Sequence, residues 1–294
     1  MQSGAPLPHP QVPVSFATVS GGTSDNLFYQ GMKGLIRFDC ANCAHWFNAG
    51  DVDVMSGPRI AASRTTVTNE FCVNPDLEHV PWVLFIDDDM VPPPDALCRL
   101  LGYAYSNCDD PTDPLADPGI KIIGGLCFAG HPDEALFGEG NIYPTIYEPA
   151  DDPVTGTKGP KPVMDYPENA LVKCWGTGAA FLLVHRKVLL NMVQPHPVGF
   201  GTFPASDGSE PVTNPQPWFT EGIRDGRAWG EDLAFCNRAA MLGYPTYVHT
   251  GVEIGHRKTV TVDSRFFRMA QERKGASVMT MNRAERRRKA RKGA

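Results

Sequence analysis

Apolar and polar positions along the chain fall into short runs that predict alternating strands and helices. The clearest run is Trp82-Val83-Leu84-Phe85-Ile86, five large apolar residues that end in Asp87-Asp88-Asp89. An uninterrupted run of this length predicts a strand buried on both faces, as in the parallel sheet of an α/β protein. Upstream, Val14–Val19 predicts a first strand entering the turn Ser20-Gly21-Gly22-Thr23-Ser24-Asp25, followed by a capped helix through Ile36. His45-Trp46-Phe47 reads as a second strand, and Gly57-Pro58 opens a helix from Arg59 to Val73. Strand, helix, strand, helix, strand is the order of a nucleotide-binding α/β half.

Beyond the aspartates, Pro92-Pro93-Pro94 ends the strand and a helix follows over Ala96–Leu101, with Asp95 placed to cap it. A polar loop, Asn107–Pro118, leads to the apolar segment Ile122–Phe128. The stretch Ala129–Pro162 is rich in Pro, Gly, Asp and Tyr without a sustained period, which predicts irregular structure or short hairpins lining a cleft. Regular structure resumes with Leu171–Trp175, Gly176-Thr177-Gly178, a strand over Ala180–Val184 and a helix over Arg186–Val193. A second loop, His196–Pro217, precedes a helix from Glu231 to Leu242 that Gly243 ends in the usual C′ position. Short strands over Thr246–His249 and Val252–Ile254 complete the body, and the sequence holds no internal repeat.

Composition changes this picture little. Apolar residues make 42% and charged residues 20% of the 294 positions, an ordinary globular balance, while 29 Gly and 27 Pro predict many loops. The net charge of −6 hides an asymmetry: Arg283 to Ala294 carries seven basic residues against Glu285, a net +6, which leaves −12 on the rest. An acidic body argues against general nucleic-acid binding; only the basic tail could touch phosphates or anionic lipid, and the plainer expectation for it is a solvated terminus. Met1 to Pro13 shows neither a basic n-region nor an apolar h-region, and no apolar stretch reaches about 18 residues. A cytoplasmic protein is expected, in host cytoplasm if phage-encoded, with its eight cysteines reduced. Cys40-Ala-Asn-Cys43 is a single C-x-x-C without the second pair of a zinc ribbon.

The candidate chemistry begins at the aspartates. If the backbone stays extended past Ile86, Asp87 and Asp89 share one side and Asp88 takes the other. Two such carboxylates repel, and a divalent cation relieves the repulsion. Ligands of open α/β sheets bind beyond the carboxyl ends of the strands, where these residues lie. Glu231-Asp232 opens a helix, whose positive end favours carboxylates in any protein. Gly176-Thr177-Gly178 lacks the third glycine of a dinucleotide fingerprint. His249 reads as structural, and His256 after Gly255 as a candidate ligand.

In this order and spacing, Asp87-Asp88-Asp89, Trp175-Gly176-Thr177-Gly178-Ala179-Ala180, Trp229-Gly230-Glu231-Asp232 and Gly255-His256 resemble a GT-A-fold glycosyltransferase of the family 2-like kind, over Val12 to His256. The resemblance implies a Rossmann-like α/β architecture, a mixed nucleotide-binding sheet flanked by helices, as a single domain with irregular acceptor-side loops. Residues 13–262 would form it, between an N-terminal extension (1–12) and a helical, basic tail (263–294). It also implies a nucleotide-sugar donor, foremost a UDP-sugar, whose diphosphate is held through Mn²⁺ or Mg²⁺. Asp89 would be the direct metal ligand, Asp87 would face the ribose or the metal, and His256 would be the second protein ligand. Asp232 would deprotonate the acceptor hydroxyl, with Glu231 as its substitute. Gly176, Thr177 and Gly178 would approach the acceptor sugar; Thr18, Ser20 and Gly21 would lie near the base or ribose; Asp88 would be a further donor-binding residue; Arg64 would contact the donor. Thr65 departs from the Asn that commonly follows such an arginine. The transferred group would be a hexose or N-acetylhexosamine, and the acceptor a protein, glycan or small molecule.

Two other readings compete. A sugar-phosphate nucleotidyltransferase shares a related sheet, but Ser20–Asp25 has no Lys or Arg to grip a triphosphate. A non-catalytic assembly protein would bind nucleic acid through the basic tail with steep salt dependence.

Overall fold

The computed structural model describes residues 7–21, 26–43, 52–55, 60–130, 142–151, 158–193, 202–203, 212–213, 218–224 and 227–258. In chain order the first elements are β1 (Val14–Ser20), α1 (Asn26–Asn42), β2 (Val52–Met55), α2 (Ile60–Val73), a 3₁₀ turn (Pro75–Leu77), β3 (Trp82–Asp87), β4 (Met90–Val91) and α3 (Ala96–Tyr105). There follow β5 (Ile122–Leu126), β6 (Phe128–Gly130), β7 (Ile142–Pro144), β8 (Ile146–Asp151), β9 (Lys158–Pro162), β10 (Leu171–Cys174), β11 (Gly176–Thr177), β12 (Phe181–His185) and α4 (Arg186–Val193). The last are β13 (Thr202–Phe203), β14 (Val212–Thr213), β15 (Gly222–Arg224), β16 (Arg227–Trp229), α5 (Glu231–Met241), β17 (Thr246–Glu253) and β18 (Gly255–His256). The chain falls into two compact units, Met1–Ala129 with Tyr143–Arg257, and Gly130–Ile142 with Lys258–Ala294.

At the centre of the first unit is a seven-stranded mixed sheet in the order β10-β17-β5-β12-β3-β1-β2. β1 runs parallel to β2 and β3, and β17 parallel to β5, whereas β12 is antiparallel to both its neighbours and β10 to β17. The five strands β1, β2, β3, β5 and β17 therefore end at one edge of the sheet. β12, running the other way, begins at that same edge.

β3 is buried on both faces, as its unbroken apolar run predicts. Trp82, Leu84 and Ile86 join one core cluster with residues of α1 and α3, while Val83 and Phe85 join the other with residues of α2, α4 and α5. Side chains alternate along a strand, so Asp87 continues the Val83–Phe85 series toward α2 and α5. Extended geometry ends there: Asp88 and Asp89 form a turn into β4, so the expected alternation does not reach Asp89.

Other expectations shift at element ends. α1 continues past Ile36 to Asn42 because Leu35, Asp39 and Cys43, four apart, lie on one buried face. α3 runs beyond Leu101 to Tyr105, whose hydroxyl accepts from Trp82 Nε1 at 3.2 Å. Asp95 takes the N-cap position of α3 without a side-chain capping bond. The two expected strands at 246–254 are one, β17, with a register irregularity between His249 and Glu253. Within the Gly- and Pro-rich stretch, β8 and β9 form an antiparallel pair. Gly243 holds φ = 84°, the left-handed C′ geometry expected of it. The expected strand His45–Phe47 lies outside the described residues, as does the tail; β2 fills the edge position beside β1.

The expectation that every cysteine is reduced fails for one pair. Cys43, just after α1, and Cys98, in the first turn of α3, are bridged with Cα atoms 6.7 Å apart. Among the described residues no helix is long and apolar enough to cross a membrane.

Candidate functional site

The topology brings all the singled-out motifs to one edge of the sheet. β1 and β3 deliver Ser20 and Asp87 at their carboxyl ends, β17 passes through Ile254 into His256, and Gly176–Gly178 precedes the start of β12. The β15–β16 hairpin leads through Gly230, the extended N-cap residue, into α5, so Glu231 and Asp232 occupy its first turn.

Arg64 organises the carboxylates. It stands on α2, 3% exposed, and its Nη1 donates to Glu231 Oε1 and Asp232 Oδ1, each at 2.5 Å. Nη2 donates to Asp87 Oδ1 at 3.0 Å and Oδ2 at 2.8 Å, a two-pronged pair on the carboxylate that the β3 register aims at α2. Burial opposes the guanidinium charge, but Asp232, Asp87 and Glu231 outweigh it and hold the group more firmly protonated than usual. Burial raises the Asp87 carboxyl above its ordinary range despite Arg64. Burial and then Asp232 push Glu231 up to about 7. Burial thus outweighs the single guanidinium that the three carboxylates share, and their mutual repulsion adds to it.

Asp88 and Asp89 are held elsewhere. Asp88 Oδ2 accepts from Ser20 Oγ at 2.7 Å and from the Gly21 amide at 3.1 Å, which ties the end of β1 to the aspartate turn. Thr18 lies half-buried within β1, opposite Ile86. Asp89 Oδ2 lies 3.0 Å from His256 Nε2, while His256 Nδ1 lies 2.7 Å from the carbonyl oxygen of Phe128. A carbonyl only accepts, so Nδ1 carries a proton and Nε2 is the nitrogen that faces the carboxylate. An unprotonated Nε2 and a carboxylate at 3.0 Å repel; a proton on Nε2, or a cation bound by both, makes the contact favourable.

The expected Asp87, Asp89, His256 ligand set is not gathered into one cage. Among the described residues, only His9, Cys43 and Cys98 form a group of three whose ligand atoms all lie within 4.8 Å of one another. Asp87 is turned to Arg64 instead, because the strand register fixes its direction while the turn redirects Asp89.

Gly176-Thr177-Gly178 divides between packing and the rim. A Cβ on Gly176 would stand 2.7 Å from Leu233 Cδ2, so this glycine lets α5 pack on β11. Thr177 is buried and donates to the Thr145 carbonyl at 2.6 Å. Gly178 alone borders the carboxylates, its absent Cβ 3.6 Å from Asp232 Oδ2. The first two residues of the motif thus position α5 and leave the rim to the third.

Three features have no role assigned by the sequence. Trp175 and Trp229 meet edge to face with centroids 4.8 Å apart; the only signal is that each precedes a glycine of a motif. Tyr147 has its hydroxyl pushed up to about 12 by burial, Tyr143 and Asp232. Phe219 stacks on Phe235 of α5 at 4.6 Å and meets Phe85 edge to face at 5.1 Å, while its carbonyl accepts from Thr65 Oγ1. Thr65, the departure from the expected Asn, thereby anchors the segment in front of the hairpin.

No family model and no curated protein matches this sequence. Among solved structures, the crystal structure of A197 from STIV is similar at 14% identity and a TM-score of 0.44, over 84% of this chain and 87% of that one. The crystal structure of a glycosyltransferase involved in the glycosylation of the major capsid of PBCV-1 is similar at 13% identity and a TM-score of 0.28, over 65% and 71%. Likenesses at this level carry neither activity nor substrate, so the functional reading rests on the residues.

Proposed function

We propose that this chain is a metal-dependent glycosyltransferase of GT-A architecture, moving a hexose or N-acetylhexosamine from a nucleoside-diphosphate sugar, UDP foremost, to a hydroxyl acceptor. One observation carries the reading: Asp87, Glu231 and Asp232 share the Arg64 guanidinium, and Asp88 and Asp89 stand beside them in the turn after β3, so five carboxylates face one guanidinium at the edge where five strands end. That leaves a formal surplus of four negative charges where ligands of open α/β sheets bind.

The residues fit a hard divalent cation. Asp89 offers oxygen and His256 its Nε2, with Nδ1 already committed to Phe128, a donor set that suits Mn²⁺ or Mg²⁺. When bound, such a cation supplies Lewis-acid stabilisation of the charge that builds on a leaving diphosphate. Asp88 fixes the β1 turn, where Ser20 and Gly21 would border the nucleotide. Arg64 holds Oδ1 of Asp232, and Oδ2 looks toward Gly178, where the missing side chain leaves room for an acceptor hydroxyl. Asp232 takes that proton as general base, with Glu231 beside it as the substitute. Trp175 and Trp229 pack edge to face directly before Gly176 and Gly230 and brace the two segments that lead to this rim. The acceptor class is protein, glycan or small molecule.

The nucleotidyltransferase reading is less favoured, because the Gly21 amide and Ser20 hydroxyl that a triphosphate would need are engaged by Asp88.

The test is a screen of nucleotide sugars with Mn²⁺ and with chelator, reading nucleoside diphosphate release. Asp89→Ala should abolish the metal-dependent signal, and Asp232→Asn should slow turnover by about 10²-fold or more while sparing donor binding. Full transfer by Asp232→Asn would remove the base assignment. Absence of release from any donor, with metal bound, would remove the enzymatic reading.

A further inference from the structure

His9, Cys43 and Cys98 come from three separate parts of the chain: the segment entering β1, the residue after α1, and the first turn of α3. Their ligand atoms all lie within 4.8 Å of one another, and the two sulfurs are bonded to each other. Cys98 Sγ also lies 3.8 Å from Oδ1 of Asp39, a carboxylate only 1% exposed. A disulfide sulfur has no proton to offer a buried carboxylate, whereas a thiol has one. The segment bearing His9 is laid closely on α3. A Cβ on Gly102, one turn after Cys98, would stand 2.9 Å from both the Cβ and the carbonyl oxygen of Leu7.

We propose that this trio is a redox-gated site for a soft divalent cation of the zinc class, separate from the carboxylate rim and independent of sugar transfer. In the oxidised state the Cys43–Cys98 bond closes the site. A dithiol reductant delivers two electrons and two protons, becomes a disulfide itself, and leaves two thiols. The cation then displaces both thiol protons to solvent and takes two thiolates, the His9 imidazole and one water in a tetrahedral shell. Two sulfurs and an imidazole select zinc-class ions over Mg²⁺ or Mn²⁺. Loading fastens the N-terminal segment to α1 and α3.

The experiment uses the full chain, reduced with a dithiol, desalted without oxygen, and titrated with Co²⁺ and then Zn²⁺. The expected result is one cation per chain, with a thiolate-to-cobalt charge-transfer band that Zn²⁺ bleaches. Zinc loading should protect Cys43 and Cys98 from alkylation while Cys40 stays reactive. Cys43→Ser and Cys98→Ser should lose the band, His9→Ala should weaken affinity about tenfold or more, and Cys40→Ser should keep it. Should either serine variant fail to fold, the alkylation pattern of the wild-type chain decides. Three results overturn the site: no cation taken by natively folded reduced protein, meaning a plain disulfide only; uptake unchanged in both Cys43→Ser and Cys98→Ser; or uptake lost in Cys40→Ser.

Discussion

Replacing Arg64 with Met keeps most of the side-chain bulk and removes the one cation that Asp87, Glu231 and Asp232 share. Taking away one partner of a buried ion pair costs about 3–5 kcal/mol, because the remaining charge is left desolvated. Here three partners lose the cation, but the Asp87 and Asp232 side chains are 18% and 27% exposed, so water recovers part of the loss. A destabilisation of about 4 kcal/mol at pH 8 is expected, within the range for one removed partner.

The pH dependence sharpens this test. Burial lifts Asp87 and Glu231 above their ordinary values even with Arg64 present, and Glu231 stands at about 7. Without the guanidinium both rise further. A carboxyl whose folded pKa exceeds its unfolded pKa contributes stability that is fully present below the unfolded value and is lost as pH rises through the folded one. The deficit of Arg64→Met is therefore greatest at pH 8 and shrinks as the acids are protonated toward pH 5. Urea midpoints by far-ultraviolet circular dichroism, taken for both proteins across that range, measure it. A variant within about 1 kcal/mol of wild type at pH 8, or a gap that widens on acidification, would refute the shared-cation account.

Three further outcomes are expected. Arg186 donates to the carbonyl oxygens of Val80 at 2.8 Å, Phe71 at 2.9 Å and Leu77, and stacks on the Phe71 ring at 4.0 Å; Arg186→Met should lower stability by about 3 kcal/mol in urea unfolding, and an unmoved midpoint would contradict that role. A Cβ on Gly125 would lie 2.6 Å from Ile254 Cγ1 and 3.0 Å from the Val252 carbonyl oxygen; Gly125→Ala should lower Tm by about 2–8 °C, and an unchanged Tm would show that β17 yields easily. Asp88→Ala releases Ser20 and Gly21; donor KM should rise with kcat nearly preserved, whereas a fall in kcat at constant KM would place Asp88 in the chemistry instead.

The parts legible in the sequence are those that local patterning decides. β3 is readable because both its faces are covered, so no polar residue interrupts Trp82–Ile86. The α5 start and the Gly243 stop follow from cap chemistry within a few residues. Tertiary partnerships are not written locally. Arg64 finds its carboxylates 23, 167 and 168 positions away, and no spacing rule connects them. Gly176 resembles a loop glycine until Leu233 of α5 is seen against it. The end of α1 reads too early because Asp39 looks like a polar terminus, although it is buried one turn before Cys43. The Cys43–Cys98 bridge joins positions 55 apart, beyond any local pattern.

Strand register links the core to the site. A one-residue slip of β3 would exchange its faces, moving Trp82 away from Tyr105 and turning Asp87 from Arg64 toward α1 and α3. The packing of Trp82, Leu84 and Ile86 on one side and Val83 and Phe85 on the other forbids that slip. The same hydrophobic burial that fixes the sheet therefore forces Asp87 into the company of Glu231 and Asp232, and Arg64 neutralises only one of the three charges. A fold that only needed stability would do better with apolar groups there. The uncompensated charge is tolerable where a cationic ligand completes the balance, which is the reason the proposed metal-dependent transfer is assigned to this edge.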